Sequence, residues 1–170
     1  MALIKSVRGF TPEFGKNCFL AENSTIIGDV KIGDNSSIWY NAVLRGDVNS
    51  IRIGNKVNIQ DGAVLHTLYK KSKIFIGDNV TVGHNVTIHG AEIKNNVLVG
   101  MGAVILDNSI INENSIIAAN SLILQGTITE KNSIYAGVPA KKIKNIEKIH
   151  TKEMIEKIAN NYLMYANWYK

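Results

Sequence analysis

The sequence contains a single cysteine, Cys18, among its 170 residues. A disulfide needs two cysteines, so the disulfide-stapled folds of small secreted proteins are excluded. The first residues also lack the basic, apolar and small-residue order of a secretory signal peptide, and we therefore expect a cytoplasmic protein. No apolar run approaches the ~20 residues that span a bilayer, so we expect no membrane partner.

Acidic residues are fewer than basic ones: 14 Asp and Glu against 19 Lys and Arg give a net charge of +5. The lysines gather at residues 70–73 and 141–157 rather than along one stripe, and aromatic side chains do not alternate with them. Proteins that bind single-stranded nucleic acid combine a basic groove with stacking aromatics. We therefore expect no nucleic-acid partner and assign the lysines to the solvated surface.

An aliphatic residue recurs every six positions through most of the chain. Small or β-branched residues usually follow four positions later, and Gly, Asp and Asn stand between, as at 32–35 and 76–79. These residues make corners, so the pattern predicts an all-β solenoid with three hexapeptides per triangular coil and coils ~4.8 Å apart. The predicted interior positions are Leu20, Ile26, Ile32, Ile38, Leu44, Ile53, Ile59, Leu65, Ile76, Val82, Ile88, Ile93, Val99, Ile105, Ile111, Ile117, Ile123, Ile128 and Ile134.

Beyond Ile134 the period changes to three or four residues. Thr151 is the predicted N-cap, and an amphipathic helix is predicted over 152–168, packed on the outside of the solenoid. We divide the chain into a β-helix domain, 1–140, and a linker with the C-terminal helix, 141–170. The apolar stripe of the helix consists of Ile155, Ile158, Tyr162, Tyr165 and Tyr169.

Two interruptions of the six-residue register determine where the histidines fall. Three extra residues separate Leu44 from Ile53, and five separate Leu65 from Ile76. If both insertions bulge from corners, each coil keeps its three hexapeptides. The faces of the solenoid can then be counted through both insertions.

This count places the polar residues in two columns. In the first column, Arg45, His66 and His89 each come one residue after an interior position of the same face. In the second column, Asp61 and His84 each come two residues after an interior position of another face. His84 is therefore expected to lie apart from the other two histidines of its own chain. A subunit related by threefold symmetry could supply it to them.

Three neutral imidazoles can hold Zn²⁺, or Fe²⁺ or Co²⁺ as alternatives, and leave a position open for water. Such a metal lowers the pKa of bound water to about 7, and CO₂ is a natural small electrophile for the resulting hydroxide. Singly, each histidine would more often be a polar corner residue. Three of the four histidines on adjacent columns, beside Arg45 and Gln60, favour a metal site.

Three segments resemble the signature of the gamma-class carbonic anhydrases. They read Asn-Ala-Val-Leu-Arg-Gly-Asp at 41–47, Asn-Ile-Gln-Asp-Gly-Ala-Val-Leu-His at 58–66 and Val-Gly-His-Asn-Val-Thr-Ile-His-Gly at 82–90. The resemblance covers nearly the whole chain. It implies a left-handed parallel β-helix, a homotrimer with metal sites between subunits, and reversible hydration of CO₂ to bicarbonate by a metal-bound hydroxide.

The same resemblance implies roles for individual residues. His66 and His89 of one subunit and His84 of the next would be the metal ligands, and Arg45 and Asp61 would pair across the interface. Around them, Asp47 would hold the region of Arg45, Asn58 and Gln60 would orient water or substrate, and Tyr162 would lie near the metal.

The chain departs from the family where archetypal members carry glutamates for proton transfer. Val48 and Asn49 follow Asp47, and the insertion after His66 reads Thr-Leu-Tyr-Lys-Lys-Ser-Lys. A site without a proton shuttle can bind metal and still turn over slowly, so weak activity is expected. His150 is expected to be a surface residue rather than a substitute shuttle.

Two other functions fit the same repeat. One is a hexapeptide-repeat acyltransferase that uses acetyl-CoA and a single histidine as base. The other is a non-catalytic, metal-binding trimeric scaffold. The grouping of the histidines favours the lyase over the acyltransferase.

Overall fold

The computed structural model describes residues 1–169, and the side chains of all of these except 148–152. This part of the chain forms short β-strands and one C-terminal helix. The elements are β1 Leu3–Lys5, β2 Glu13–Phe14, β3 Phe19–Leu20, β4 Thr25–Ile32, β5 Ser37–Ile38, β6 Val43–Ile53, β7 Asn58–Ile59, β8 Val64–His66, β9 Ile74–Ile76, β10 Thr81–Val82, β11 Thr87–His89, β12 Glu92–Ile93, β13 Leu98–Val99, β14 Val104–Ile105, β15 Ile110–Ile111, β16 Ile116–Ile117, β17 Leu122–Ile123, β18 Ser133–Gly137, β19 Ala140–Asn145 and α1 Lys148–Asn167.

The strands stack in parallel as the three faces of a solenoid. Face A contains β8, β11, β14 and β17 with the first parts of β4 and β6. Face B contains β9, β12 and β15 with the second parts of β4 and β6, and face C contains β3, β5, β7, β10, β13, β16 and β18. The predicted hexapeptide-repeat β-helix with a C-terminal helix is confirmed.

The interior of the solenoid is aliphatic. Every predicted interior position from Ile26 to Ile123 belongs to one buried core. Burying each such side chain stabilises the fold by roughly 1.5–3 kcal/mol relative to leaving it in water. Asparagines with positive φ, such as Asn35 and Asn79, turn the corners between these positions.

The last two predicted interior positions are wrong. Ile128 is 64% exposed, and Ile134 pairs beside Ile116 on the outward side of its strand. The six-residue register instead continues to the buried Thr129 and Tyr135. Both carry polar atoms that are satisfied inside the coil, because each oxygen accepts a backbone N–H hydrogen bond.

Both insertions lie at the corner between faces A and B. Between β4 and β6, Gly28 pairs with Gly46 and Val30 pairs with Ile51. Residues 47–50 of β6 therefore lie opposite the single residue Asp29 of β4 and form the first insertion. The second insertion, residues 67–73, leads from β8 on face A to β9 on face B. Each face therefore keeps its register through the insertions.

Helix α1 packs on face C, where the rings of Tyr162 and Trp39 meet edge-on at 5.3 Å. It begins four residues before the predicted 152, with Glu147 as its N-cap. The prediction missed this start because the Glu147 side chain makes no capping hydrogen bond. The predicted N-cap, Thr151, is therefore wrong, because this residue lies inside the helix. The side chains of Thr151 and His150 lie outside the described residues.

Ahead of the helix, β19 pairs antiparallel with β18, so the predicted linker contains a strand. The division of the chain at residue 140 stays a prediction. Within residues 1–169, no helix has the length and apolar character needed to cross a membrane.

Candidate metal centre

Three strands of face A carry the first column. Arg45 of β6 stands beside His66 of β8, which stands beside His89 of β11, in unbroken parallel register. Leu44 and Leu65, the residues before Arg45 and His66, are fully buried, and they anchor these two neighbouring side chains at the corner. The two imidazoles face each other, with His66 Nδ1 3.2 Å from His89 Nε2.

Each of the two imidazoles has a carboxylate on its other nitrogen. His66 Nε2 lies 3.2 Å from Asp47 Oδ1, and Arg45 Nη1 donates to Asp47 Oδ2 at 2.7 Å. His89 Nδ1 lies 2.8 Å from Asp107 Oδ2. Carboxylates in this position fix the tautomer and orientation of metal-binding histidines.

The local charges determine which atoms carry protons. Burial alone would raise the pKa of Asp47, but the hydrogen bond and charge of Arg45 outweigh it and lower that pKa. Burial would likewise raise the pKa of Asp107, but hydrogen bonds from Ser72 and His89 outweigh it and lower that pKa. Burial, and then the charge of Arg45, lower the pKa of His66. Both carboxylates are therefore ionised and His66 is neutral at pH 7.

The two ring nitrogens that do not contact a carboxylate face each other. His66 Nδ1 lies within hydrogen-bond distance of His89 Nε2, at 3.2 Å, and which of the two nitrogens donates depends on the tautomers of the rings. Two nitrogens bound tetrahedrally at about 2.0–2.1 Å from zinc lie roughly 3.3 Å apart. The pair therefore fits two ligand positions of a divalent metal.

The second column lies at the other edge of face A, at its corner with face C. His84 Nδ1 is 2.8 Å from Asp61 Oδ2, and the backbone N–H of Tyr40 donates to the other oxygen of Asp61. Burial, and then the negative charge of Asp61, raise the pKa of Tyr162 on α1. The structure thus brings His84, Asp61 and Tyr162 to one corner, away from His66 and His89.

Asn58 and Gln60 lie behind this second corner. Gln60 Nε2 donates to Asn58 Oδ1 at 2.9 Å, and Asn58 Nδ2 donates to Thr81 at 2.8 Å. Both side chains are buried. Their predicted role in orienting water or substrate stays a prediction.

Within the part of one chain that the structure describes, the predicted three-histidine site is incomplete. Among the described residues, no three His, Cys, Asp or Glu side chains converge so that they could hold a metal ion. A three-histidine site would have to join the His66–His89 corner of one chain to the His84 corner of another. The predicted pair between Arg45 and Asp61 concerns two chains and stays a prediction.

Sequence reasoning missed Asp107 and Ser72. Asp107 follows the interior residue Ile105 by two, and Ile105 pairs with Ile88 in the neighbouring coil. Counting one coil onward from Gly90, the residue after His89, would have placed a carboxylate at this corner. Ser72 gave no such signal, because it belongs to an insertion outside the repeat.

The chain shares the repeat of a large structural class. Residues 11–46 and 90–125 match the family described as bacterial transferase hexapeptide (six repeats). It also resembles the solved structure of a hexapeptide transferase family protein from Anaplasma phagocytophilum, at 38% identity and a TM-score of 0.93, covering 99% of this chain and 98% of that one.

Two curated relatives indicate which family within this structural class the chain belongs to. A carbonic anhydrase of Geobacillus kaustophilus is 43% identical over 168 residues, which cover 99% of this chain and 91% of that protein. Gamma carbonic anhydrase 2, mitochondrial, of Arabidopsis thaliana is 40% identical over 162 residues, or 92% of this chain and 57% of that protein. The chain therefore belongs to the gamma-class carbonic anhydrase family.

Proposed function

We propose that this protein is a lyase that hydrates CO₂ reversibly to bicarbonate, with Zn²⁺ at a site shared between subunits of a homotrimer. Fe²⁺ and Co²⁺ are the alternative metals. The relatives named carbonic anhydrase support the class of reaction. The observation that carries the proposal is the pair of imidazole nitrogens, His66 Nδ1 and His89 Nε2, which face each other at 3.2 Å.

The surface between the two corners supports the assembly. Along face A the outward residues are largely aliphatic, and they stand in one register from coil to coil. The most exposed of them, Val64, is 38% exposed in the single chain. Docking a second chain here would bury apolar surface and bring its His84 towards the His66–His89 corner. The outward residues are Val43, Val64, Thr87, Val104 and Leu122.

A divalent metal held there would supply a water of lowered pKa, about 7, as nucleophile. The chain's own residues would orient the ligands: Asp47 holds His66 and is itself held by Arg45. Residues 48–50 and 67–73 contain no Asp or Glu to carry protons away. We therefore expect turnover to be slow, because regeneration of the nucleophile requires loss of a proton.

Stopped-flow CO₂ hydration by the metal-loaded trimer tests the proposal. Zn²⁺ and, under anoxic conditions, Fe²⁺ and Co²⁺ should be compared. We expect turnover that is lost in His66→Ala and His84→Ala and retained in His150→Ala, which removes the fourth histidine. Absence of turnover in every metal form would reject catalysis, and tight metal binding in that case would favour the scaffold function.

The acyltransferase alternative is supported by the name of the similar Anaplasma protein. Calorimetric titration with acetyl-CoA separates the two enzyme classes. We expect no saturable binding, and micromolar binding would favour the transferase. The cytoplasmic location expected from the sequence stays a prediction.

A further inference from the structure

We propose that Asp107, Ser72 and Gly90 form a clamp that positions His89 for metal binding. This inference rests on the proposed metal site but concerns residues outside its predicted ligand set. Asp107 and Ser72 touch neither the ligand-facing nitrogen of His89 nor His66. They would act through His89 alone, as positioning residues.

The hydrogen bonds of the clamp form a chain. His89 Nδ1 donates to Asp107 Oδ2 at 2.8 Å, and Ser72 Oγ donates to the other oxygen of Asp107. Ser72 is 3% exposed, and its Oγ also accepts the backbone N–H of Leu68 at 3.0 Å. The insertion 67–73 is thereby tied through one carboxylate to the imidazole.

This chain of bonds selects one tautomer of His89. Because Asp107 Oδ1 is occupied by Ser72, Oδ2 is the oxygen left to accept the imidazole N–H. In the neutral ring, protonation at Nδ1 leaves Nε2 without a proton, and Nε2 is the nitrogen that faces His66. Without the clamp, the imidazole could protonate at Nε2 and lose its ability to bind a metal there.

Gly90 makes room for the clamp. A Cβ at this position would lie 2.1 Å from Ser72 Oγ and 2.2 Å from Asp107 Oδ1, closer than real Cβ contacts allow. Its φ of +64° is also in the region that favours glycine. Any side chain here would push Ser72 and Asp107 apart.

The first test compares Asp107→Ala with Asp78→Ala. Asp78 is also a corner aspartate, and its Oδ1 accepts the N–H of Asn55 at 2.7 Å rather than an imidazole. Zinc affinity of each full-length protein is measured by competition with a chromophoric chelator. We expect Asp107→Ala to bind zinc about 10–100-fold more weakly than wild type, Ser72→Ala to show a smaller loss, and Asp78→Ala to match wild type.

A second readout follows the tautomer directly. Long-range ¹H–¹⁵N spectra of metal-free, histidine-labelled protein should show His89 protonated at Nδ1 in wild type and as a mixture in Asp107→Ala. A merely structural role for Asp107 would leave the tautomer unchanged. Equal zinc affinity in Asp107→Ala and Asp78→Ala, or an unchanged tautomer, would overturn the clamp.

Gly90→Ala provides an independent steric test, with Gly126→Ala as its control. Gly126 has φ +72° and donates its N–H to the Asp107 carbonyl, and a methyl group added there would meet nothing within 4 Å. Both variants carry the same backbone strain, but only Gly90→Ala should lose zinc affinity. If wild type binds no zinc, the proposed function fails; if wild type binds zinc and Gly90→Ala matches Gly126→Ala, only the clamp fails.

Discussion

Val64→Asp should separate the folding of the chain from the assembly of its metal site. Val64 lies on the outward side of face A, between the His66–His89 corner and the His84 corner, and it is 38% exposed in the single chain. The core behind it is formed by the neighbouring Leu65, which is fully buried. An aspartate at position 64 would therefore project into solvent in the monomer and into the proposed contact in the trimer.

The expected penalty falls on assembly. Burying an unpaired carboxylate costs several kcal/mol even after relaxation, and each 1.4 kcal/mol changes an association constant tenfold. A cost of about 4 kcal/mol at a contact would thus weaken it roughly a thousandfold. We expect Val64→Asp to be a folded monomer that has lost tight zinc binding.

Light scattering after size exclusion gives the mass, circular dichroism reports the fold, and chelator competition gives the zinc affinity. The matched control is Phe75→Asp, an outward residue on face B of the same coil that is 48% exposed. It should leave both the trimer and the zinc affinity intact. A trimeric, zinc-binding Val64→Asp would refute the placement of the interface on face A.

Three further outcomes follow from the fold. Lys56 has φ +53°, and Asn35, which turns the same corner in the neighbouring coil, has φ +58°. Because asparagine tolerates this left-handed conformation better than lysine, Lys56→Asn should raise the free energy of unfolding by about 0.5–1 kcal/mol in urea titrations. A loss of stability would contradict this. Leu65→Ala should lower it by about 2–5 kcal/mol, because the fully buried side chain leaves a cavity; a loss below about 1 kcal/mol would show that the coil collapses. A hydrogen bond from its own backbone, together with the hydrogen bond and charge of Lys131, lowers the pKa of Glu113 despite partial burial. The ionised Glu113 therefore stabilises the fold above its ordinary pKa of about 4.3. This stabilisation is lost as the pH falls through the lowered pKa of the folded state. Glu113→Gln should therefore show a weaker loss of stability than wild type in acid titrations, and an unchanged acid profile would contradict the assignment.

The core positions of the repeat could be predicted from the sequence because a narrow solenoid repeats one local environment many times. Each coil needs an aliphatic residue at the same phase, so a single period predicted nearly every core position. The prediction was wrong at Ile128 and Ile134, where aliphatic residues lie one position before the true interior. Thr129 and Tyr135 occupy that interior because neighbouring backbone groups satisfy their oxygens, which a hydrophobic pattern does not register.

The candidate site, too, could be predicted from the sequence only in part. Arg45, His66 and His89 could be aligned from sequence, because parallel register carries phase from coil to coil. Ser72 could not, because its position depends on how an insertion outside the repeat folds back onto Asp107. The start of α1 was also hidden, since Glu147 makes no side-chain cap.

The sequence by itself determined the solenoid, the phases of His66, His84 and His89 in the repeat, and the family. These follow from local periodicity and from short motifs, which need no knowledge of distant contacts. The tertiary structure alone decided which atoms meet: the facing imidazole nitrogens of His66 and His89, and the carboxylates of Asp47 and Asp107 behind them. Side-chain directions at corners depend on the packing of adjacent coils and insertions, and this packing exists only in the folded chain.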